Sequence, residues 1–257
     1  MLNRTAQALL ALLLASLVLA GWLSRGPNAA PWPVALVLCL AAASSLVSHA
    51  RSSPFQNVVA IAAIILVLAG IVQTVNVMTS IPFGPLIFTD NCGEQILGRL
   101  PWLAPLLWVV VILNCRGVAR LILRPWRKLR NYGFRVIGLT CLLAVLFDLG
   151  LEPFAARVNH FWLWQVSESK FAWFGAPWFN FLGWAMTTLL LLAFTTAWLI
   201  NKQPGKRRAA DFHPLFVWAA LNLFLAATLA LHQLWPPAGI VLGVAVVGTV
   251  FAWRNSA

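Results

Sequence analysis

Carboxylates are scarce in this chain: six among 257 residues, with charged side chains of either sign making up only 9%. An average soluble domain is roughly a quarter charged, so a soluble globular domain is excluded. Cysteines are also few. Three of the four, Cys39, Cys115 and Cys141, lie inside apolar runs, and with Cys92 they form no CxxC pair. That pattern indicates neither a disulfide framework nor a zinc site, and small core thiols are the simpler reading. The histidines show no HxxH, HxxxH or HExxH spacing, which argues against a di-iron or zinc enzyme. No GxGxxG, Walker or GxSxG sequence is present, which argues against cofactor-dependent redox chemistry from this chain. The expectation is therefore no metal and no cofactor.

What the chain has is apolar length. It is 61% hydrophobic, with a mean hydropathy of +0.84. Apolar windows fall at about 5–23, 33–50, 56–79, 102–122, 134–152, 176–200, 213–233 and 237–253, each near the ~20 residues a helix needs to cross a bilayer. The first window, with Arg4 ahead of it, imitates a signal peptide; because further spans follow, it reads as the first transmembrane helix. Gly and Pro punctuate the joints, and Pro101, Pro105, Pro177 and Pro214 suit helix starts, where a missing N–H costs little. The expected fold is an all-α polytopic membrane bundle of about eight helices, one domain over residues 1–257.

The formal charge of +12 follows membrane topology. Arg116, Arg120, Arg124, Arg127, Lys128, Arg130 and Arg135 cluster at the fourth-to-fifth connection, and Lys202, Lys206, Arg207 and Arg208 at the sixth-to-seventh. Positive loops stay cytoplasmic, so both termini are expected inside, in a bacterial cytoplasmic (inner) membrane. The bilayer, with its anionic head groups, is the partner of this charge; nucleic acid is not.

Five of the six acids then fall at the opposite end: Asp90, Glu94, Asp148, Glu152 and Glu168, in or beside the connections 80–101 and 153–175. Long polar connections over a bundle are where a site is expected. Asp148 and Glu152, in the run LFDLGLEPF, share one helix face at i, i+4, and Pro153 is expected to stop that helix. An acid within a span faces the interior or a wet cavity and is a functional candidate. Two carboxyls so placed can share one proton, and a protonated acid in an apolar pocket is what protonation of an alkene requires. Five of the fourteen tryptophans follow in residues 158–184. Part of this set suits an interfacial belt; the sharper reading is a channel whose aromatic faces stabilise a carbocation. Asn180 shares a face with Trp184 and needs partners at that depth, with Asp148 a candidate. His160, near the acids, reads as an interfacial side chain.

The run Asp148–x3–Glu152–Pro153, Trp162–x–Trp164, Phe174–Gly175–x–Pro177–x2–Asn180–Phe181–x–Gly183–Trp184 resembles the signature of the membrane carotenoid biosynthesis proteins. That family includes carotenoid 1,2-hydratases of the CruF and bisanhydrobacterioruberin hydratase type. Pro82–Phe83–Gly84 and the Leu100–Pro101…Pro105…Trp108 run resemble a second block of the family, and the likeness covers roughly residues 70–200. Leu86 and Phe88 stand where the family usually has tyrosines, and Gln73 where a glutamate is expected in the third helix. The resemblance implies a hydro-lyase that adds water, without a cofactor, to the terminal C=C of an acyclic carotenoid ψ-end. Asp148, Glu152 and Asn180 are the expected catalytic groups; Trp162, Trp164, Trp184, Phe83 and Asp90 are the expected substrate contacts. An acyclic carotenoid or other long isoprenoid is the expected ligand, and association with other carotenoid enzymes a further expectation.

Two other readings use the same residues. An isoprenoid cyclase or isomerase would share the protonation step and quench the cation with an alkene, so its product gains no water. A carotenoid or lipid binder or transporter would keep its pigment profile unchanged after Asp148→Asn or Glu152→Gln.

Overall fold

The computed structural model describes residues 2–23, 32–96, 98–165, 172–200 and 210–255. Glu168, Lys202, Lys206, Arg207, Arg208 and the joint 24–31 lie outside the described residues. Among those described, eight helices are long and apolar enough to cross a membrane. They are α1 (Leu2–Leu23), α2 (Trp32–Ala50), α3 (Phe55–Thr79), α4 (Leu103–Ile122), α5 (Tyr132–Pro153), α6 (Phe179–Leu199), α7 (His213–Leu231) and α8 (Trp235–Arg254). The expected bundle is present, with boundaries within a few residues of the apolar windows.

Helix α4 is the axis. Along most of its length both faces are buried, from Leu103 through Trp108 and Ile112 to Val118 and Leu121, and it packs against α2, α3, α5, α7 and α8. A helix apolar all round can be buried in this way. The surrounding helices instead keep an apolar outer face, with Val67, Met186, Phe194 and Val246 exposed, as lipid contact requires.

The two ends of the bundle differ in kind. At one end the helix termini are tied together by polar contacts. Arg51 lies 3.9 Å from Asp211, Ser44 Oγ lies 2.8 Å from His213 Nε2, and Asn255 Nδ2 donates to the Ile122 carbonyl at 2.8 Å. Asp211 thus lies at the end of the bundle opposite the α3–α4 and α5–α6 connections.

Those connections interlock, and they are more ordered than their composition implies. Strand β1 (Leu86–Phe88) pairs antiparallel with β4 (Trp162–Trp164). Strands β2 (Gln95–Ile96) and β3 (Leu100–Pro101) make a second ribbon, and β5 (Ala172–Trp173) and β6 (Ala176–Pro177) a third. Two prolines expected at helix starts belong instead to these ribbons: Pro101 lies opposite Gln95 and Pro177 opposite Ala172. A two-stranded ribbon is all edge, so a strand without an N–H is tolerated there. Pro105 and Pro214 do lie in the first turns of α4 and α7.

Candidate active site

The site begins with a helix that does not stop where its proline suggests. Pro153 closes the regular part of α5, but the chain continues through a wide turn, Phe154–Val158, closed by Asn159 N–H to the Phe154 carbonyl at 3.0 Å. Lacking an N–H, Pro153 leaves the Leu149 carbonyl, one turn back, without its helical donor. The indole of Trp173 supplies the replacement, Nε1 to Leu149 O at 2.9 Å. The wide turn keeps Glu152 one turn inside the protein rather than at the interface: Asp148 is 0% and Glu152 1% exposed.

After the turn the chain doubles back as β4. Alternate residues of a strand point the same way, so Trp162 and Trp164 face inward together while Leu163 is exposed. Both indoles donate to one oxygen, Glu152 Oε1, at 2.7 Å from Trp162 and 2.5 Å from Trp164. The β1 register sets Phe88 opposite Trp162 and Leu86 opposite Trp164. Leu86 and Phe88, where tyrosines were expected, thus lie across from the indoles, and the Phe88 ring meets Trp162 edge-on at 6.2 Å.

Asn180, in the first turn of α6, joins the two acids. Its Nδ2 donates to Asp148 Oδ2 at 2.8 Å and lies 3.5 Å from Glu152 Oε2. The contact expected between Asn180 and Asp148 is present. Among the described residues, Asp148 Oδ1 is buried without a hydrogen-bond partner and neither carboxyl forms an ion pair. One turn further along α6, Trp184 lies over Trp108 with ring centroids 4.4 Å apart, and the Phe83 ring is 6.3 Å from Trp108.

Phe83 is held there by Asn76 of α3. Asn76 Oδ1 accepts from Phe83 N–H at 2.8 Å and Gly84 N–H at 3.3 Å, and its Nδ2 donates to the Gly84 carbonyl at 3.0 Å. Gly84 has φ +118°, open to glycine, and a Cβ there would lie 2.9 Å from Phe179 and from Pro177. Gly183 completes the fit: a Cβ on it would come within 2.8 Å of both Phe83 and the Pro82 carbonyl. The Pro-Phe-Gly turn therefore rests directly on the backbone of α6.

These residues line a cavity of about 40 Å³. By the same measure a single water needs roughly 10–15 Å³, so the space has room for a few waters. Glu152, Asn180, Trp162, Trp164, Trp184 and Phe83 all contribute to its wall, and Gln73 adds a polar group from α3. Asp148 lies behind Asn180 and does not reach this wall. Asp90 is exposed in a single helical turn, Asp90–Cys92, outside the cluster. His160 sits at the surface, its Nδ1 3.2 Å from the Ala156 carbonyl. Asn76 and Trp173 were not singled out from sequence. A buried Asn within an apolar span is a signal that would have found the first; nothing in the sequence marks Trp173 among so many tryptophans.

An integral membrane protein, with a carboxyl–amide–indole cluster around a water-sized cavity at one end, is the class defined by this fold and site. The chain belongs to the carotenoid biosynthesis protein family, whose family model matches residues 32–248. It is similar to a curated relative, the bisanhydrobacterioruberin hydratase of Haloarcula japonica, at 25% identity over 194 residues, covering 72% of this chain and 59% of the relative. The match thus spans less than two thirds of that relative's length. No solved structure matches the chain.

Proposed function

We propose that this protein adds water to the terminal double bond of an acyclic carotenoid. The observation that carries the reading is Glu152, a buried carboxyl whose Oε1 is held by two indoles and which faces a cavity with room for water. The family and the hydratase name of a relative favour the same chemistry.

In this reading the Glu152 carboxyl starts protonated and gives its proton to the less substituted carbon of a terminal C=C. The electron pair of that double bond forms the new C–H bond, leaving a tertiary cation. The faces of Trp162, Trp164 and Trp184 stabilise the cation by their negative quadrupoles, each worth about 0.5–2 kcal/mol. A water in the cavity, oriented by Asn180 and Gln73, attacks the cation and returns its proton to Glu152. The product is a tertiary alcohol and the acid is restored, so no cofactor enters the balance. Asp148 acts through Asn180, whose amide it orients from behind. The site lies at the non-cytoplasmic end of the bundle, with both termini on the cytoplasmic side of a bacterial inner membrane, as the Lys/Arg distribution implies.

Expression in cells that accumulate lycopene provides the test. The expected result is a new pigment heavier than lycopene by one water. A new pigment of unchanged mass would instead identify a cyclase or isomerase. Unaltered lycopene, with the protein present in the membrane, would contradict hydration of that substrate.

A further inference from the structure

A second cavity, about 90 Å³, lies beside the first, between α2, α4, α5 and α7. Val37 of α2, Phe147 of α5 and Leu221 and Leu225 of α7 form its far wall. Its near wall, made by Ala104, Leu107 and Trp162, is also wall of the polar cavity. We propose that this apolar cavity seats the hydrocarbon adjoining the reacting double bond of the isoprenoid substrate, an assignment that rests on the hydration reading above.

Three observations support the seat. Its lining is apolar throughout, so water gains nothing by entering, whereas methyl-branched hydrocarbon gains dispersion contact with the wall. It adjoins the acid: Trp162 bonds Glu152 through its N–H and is a lining residue of both cavities. Of the three shared residues, Ala104 has the smallest side chain. A chain lying in the apolar cavity therefore meets the polar one where Glu152 waits.

The rival seats are two wider grooves on either side of α3. One, about 680 Å³, is lined by Leu66–Val75 positions of α3 with Trp102 and Leu106; the other, about 600 Å³, by Ile71, Val75 and Met186. Neither shares a lining residue with the polar cavity. Hydrocarbon in those grooves would have no common wall with Glu152.

The test is photolabelling of the whole protein in membranes with a C20 acyclic isoprenoid alkene carrying a diazirine beside its terminal double bond. Adducts are expected within residues 147–162 and 221–225, suppressed by excess lycopene. Val37→Trp, which fills the cavity from its far wall, is expected to reduce labelling at least tenfold, while Glu152→Gln leaves it intact. Adducts confined to 66–75, 96–102 or 186–193 would overturn the proposal, whether or not Val37→Trp accumulates. The two readings fail separately: cavity labelling without a hydrated product keeps the seat and removes the hydratase, and a hydrated product with groove labelling does the reverse.

Discussion

Glu152→Gln is expected to leave an acyclic carotene unhydrated, with product per unit of membrane protein falling on the order of 10²–10⁴-fold, the usual contribution of a positioned general acid. Glutamine has the shape of glutamate, and its carbonyl can still accept from Trp162 and Trp164, so the cavity wall survives the change. What it lacks is a transferable proton. Asp148→Asn is expected to have a smaller effect, because Asp148 meets Asn180 and does not touch the cavity. Its loss alters the amide's orientation and leaves the acid in place. Pigment analysis of cells expressing each variant at matched protein levels gives both numbers. Full activity of Glu152→Gln would remove Glu152 from the role assigned to it, and a larger loss for Asp148→Asn than for Glu152→Gln would move the proton donor to Asp148.

Asn76→Leu is the second large effect, through structure. Asn76 is 1% exposed and satisfies two N–H groups and one carbonyl of the Pro-Phe-Gly turn. Leucine fills the space but offers no partner, and each buried backbone group left unsatisfied costs about 1–3 kcal/mol. The turn cannot solve this by shifting, because Gly183 and the Pro82 carbonyl are already in close approach. A lowered thermal midpoint in detergent is expected, together with loss of product as Phe83 leaves the cavity wall. Asn76→Asp keeps the acceptor for both N–H groups and is expected to lose less of either. An unchanged midpoint for Asn76→Leu would show that the turn is held by other contacts.

The bundle was readable because a membrane span is a composition and a length, and both survive without knowledge of the neighbours. The acid pair was readable for a related reason: Asp148 and Glu152 are costly in an apolar helix, so their presence at i, i+4 stands out against six acids in the chain. That Asn180 needs a partner followed from its depth; its catalytic role came with the family resemblance. The connections were harder. Pro153 reads as a stop because its missing N–H breaks the ladder, and only the folded chain reveals Trp173 mending it. Pro101 and Pro177 read as helix starts because ribbons of two residues leave no periodicity to detect. Asp90 drew attention as one of few acids at the right end, yet a place in the right connection does not bring a side chain to the site. The apolar cavity left no mark at all, since its wall comes from four helices whose pairing the sequence does not record.

Hydration by acid catalysis alone requires that water in the cavity beside Glu152 become the hydroxyl of the product. Membranes containing the protein, supplied with lycopene in ¹⁸O-water and without added cofactor or dioxygen, test it most directly. The expected product is a hydroxylated carotenoid carrying ¹⁸O, formed with the wild-type chain and not with Glu152→Gln. A hydroxyl that contains no ¹⁸O, or one that forms equally well with Glu152→Gln, would contradict it.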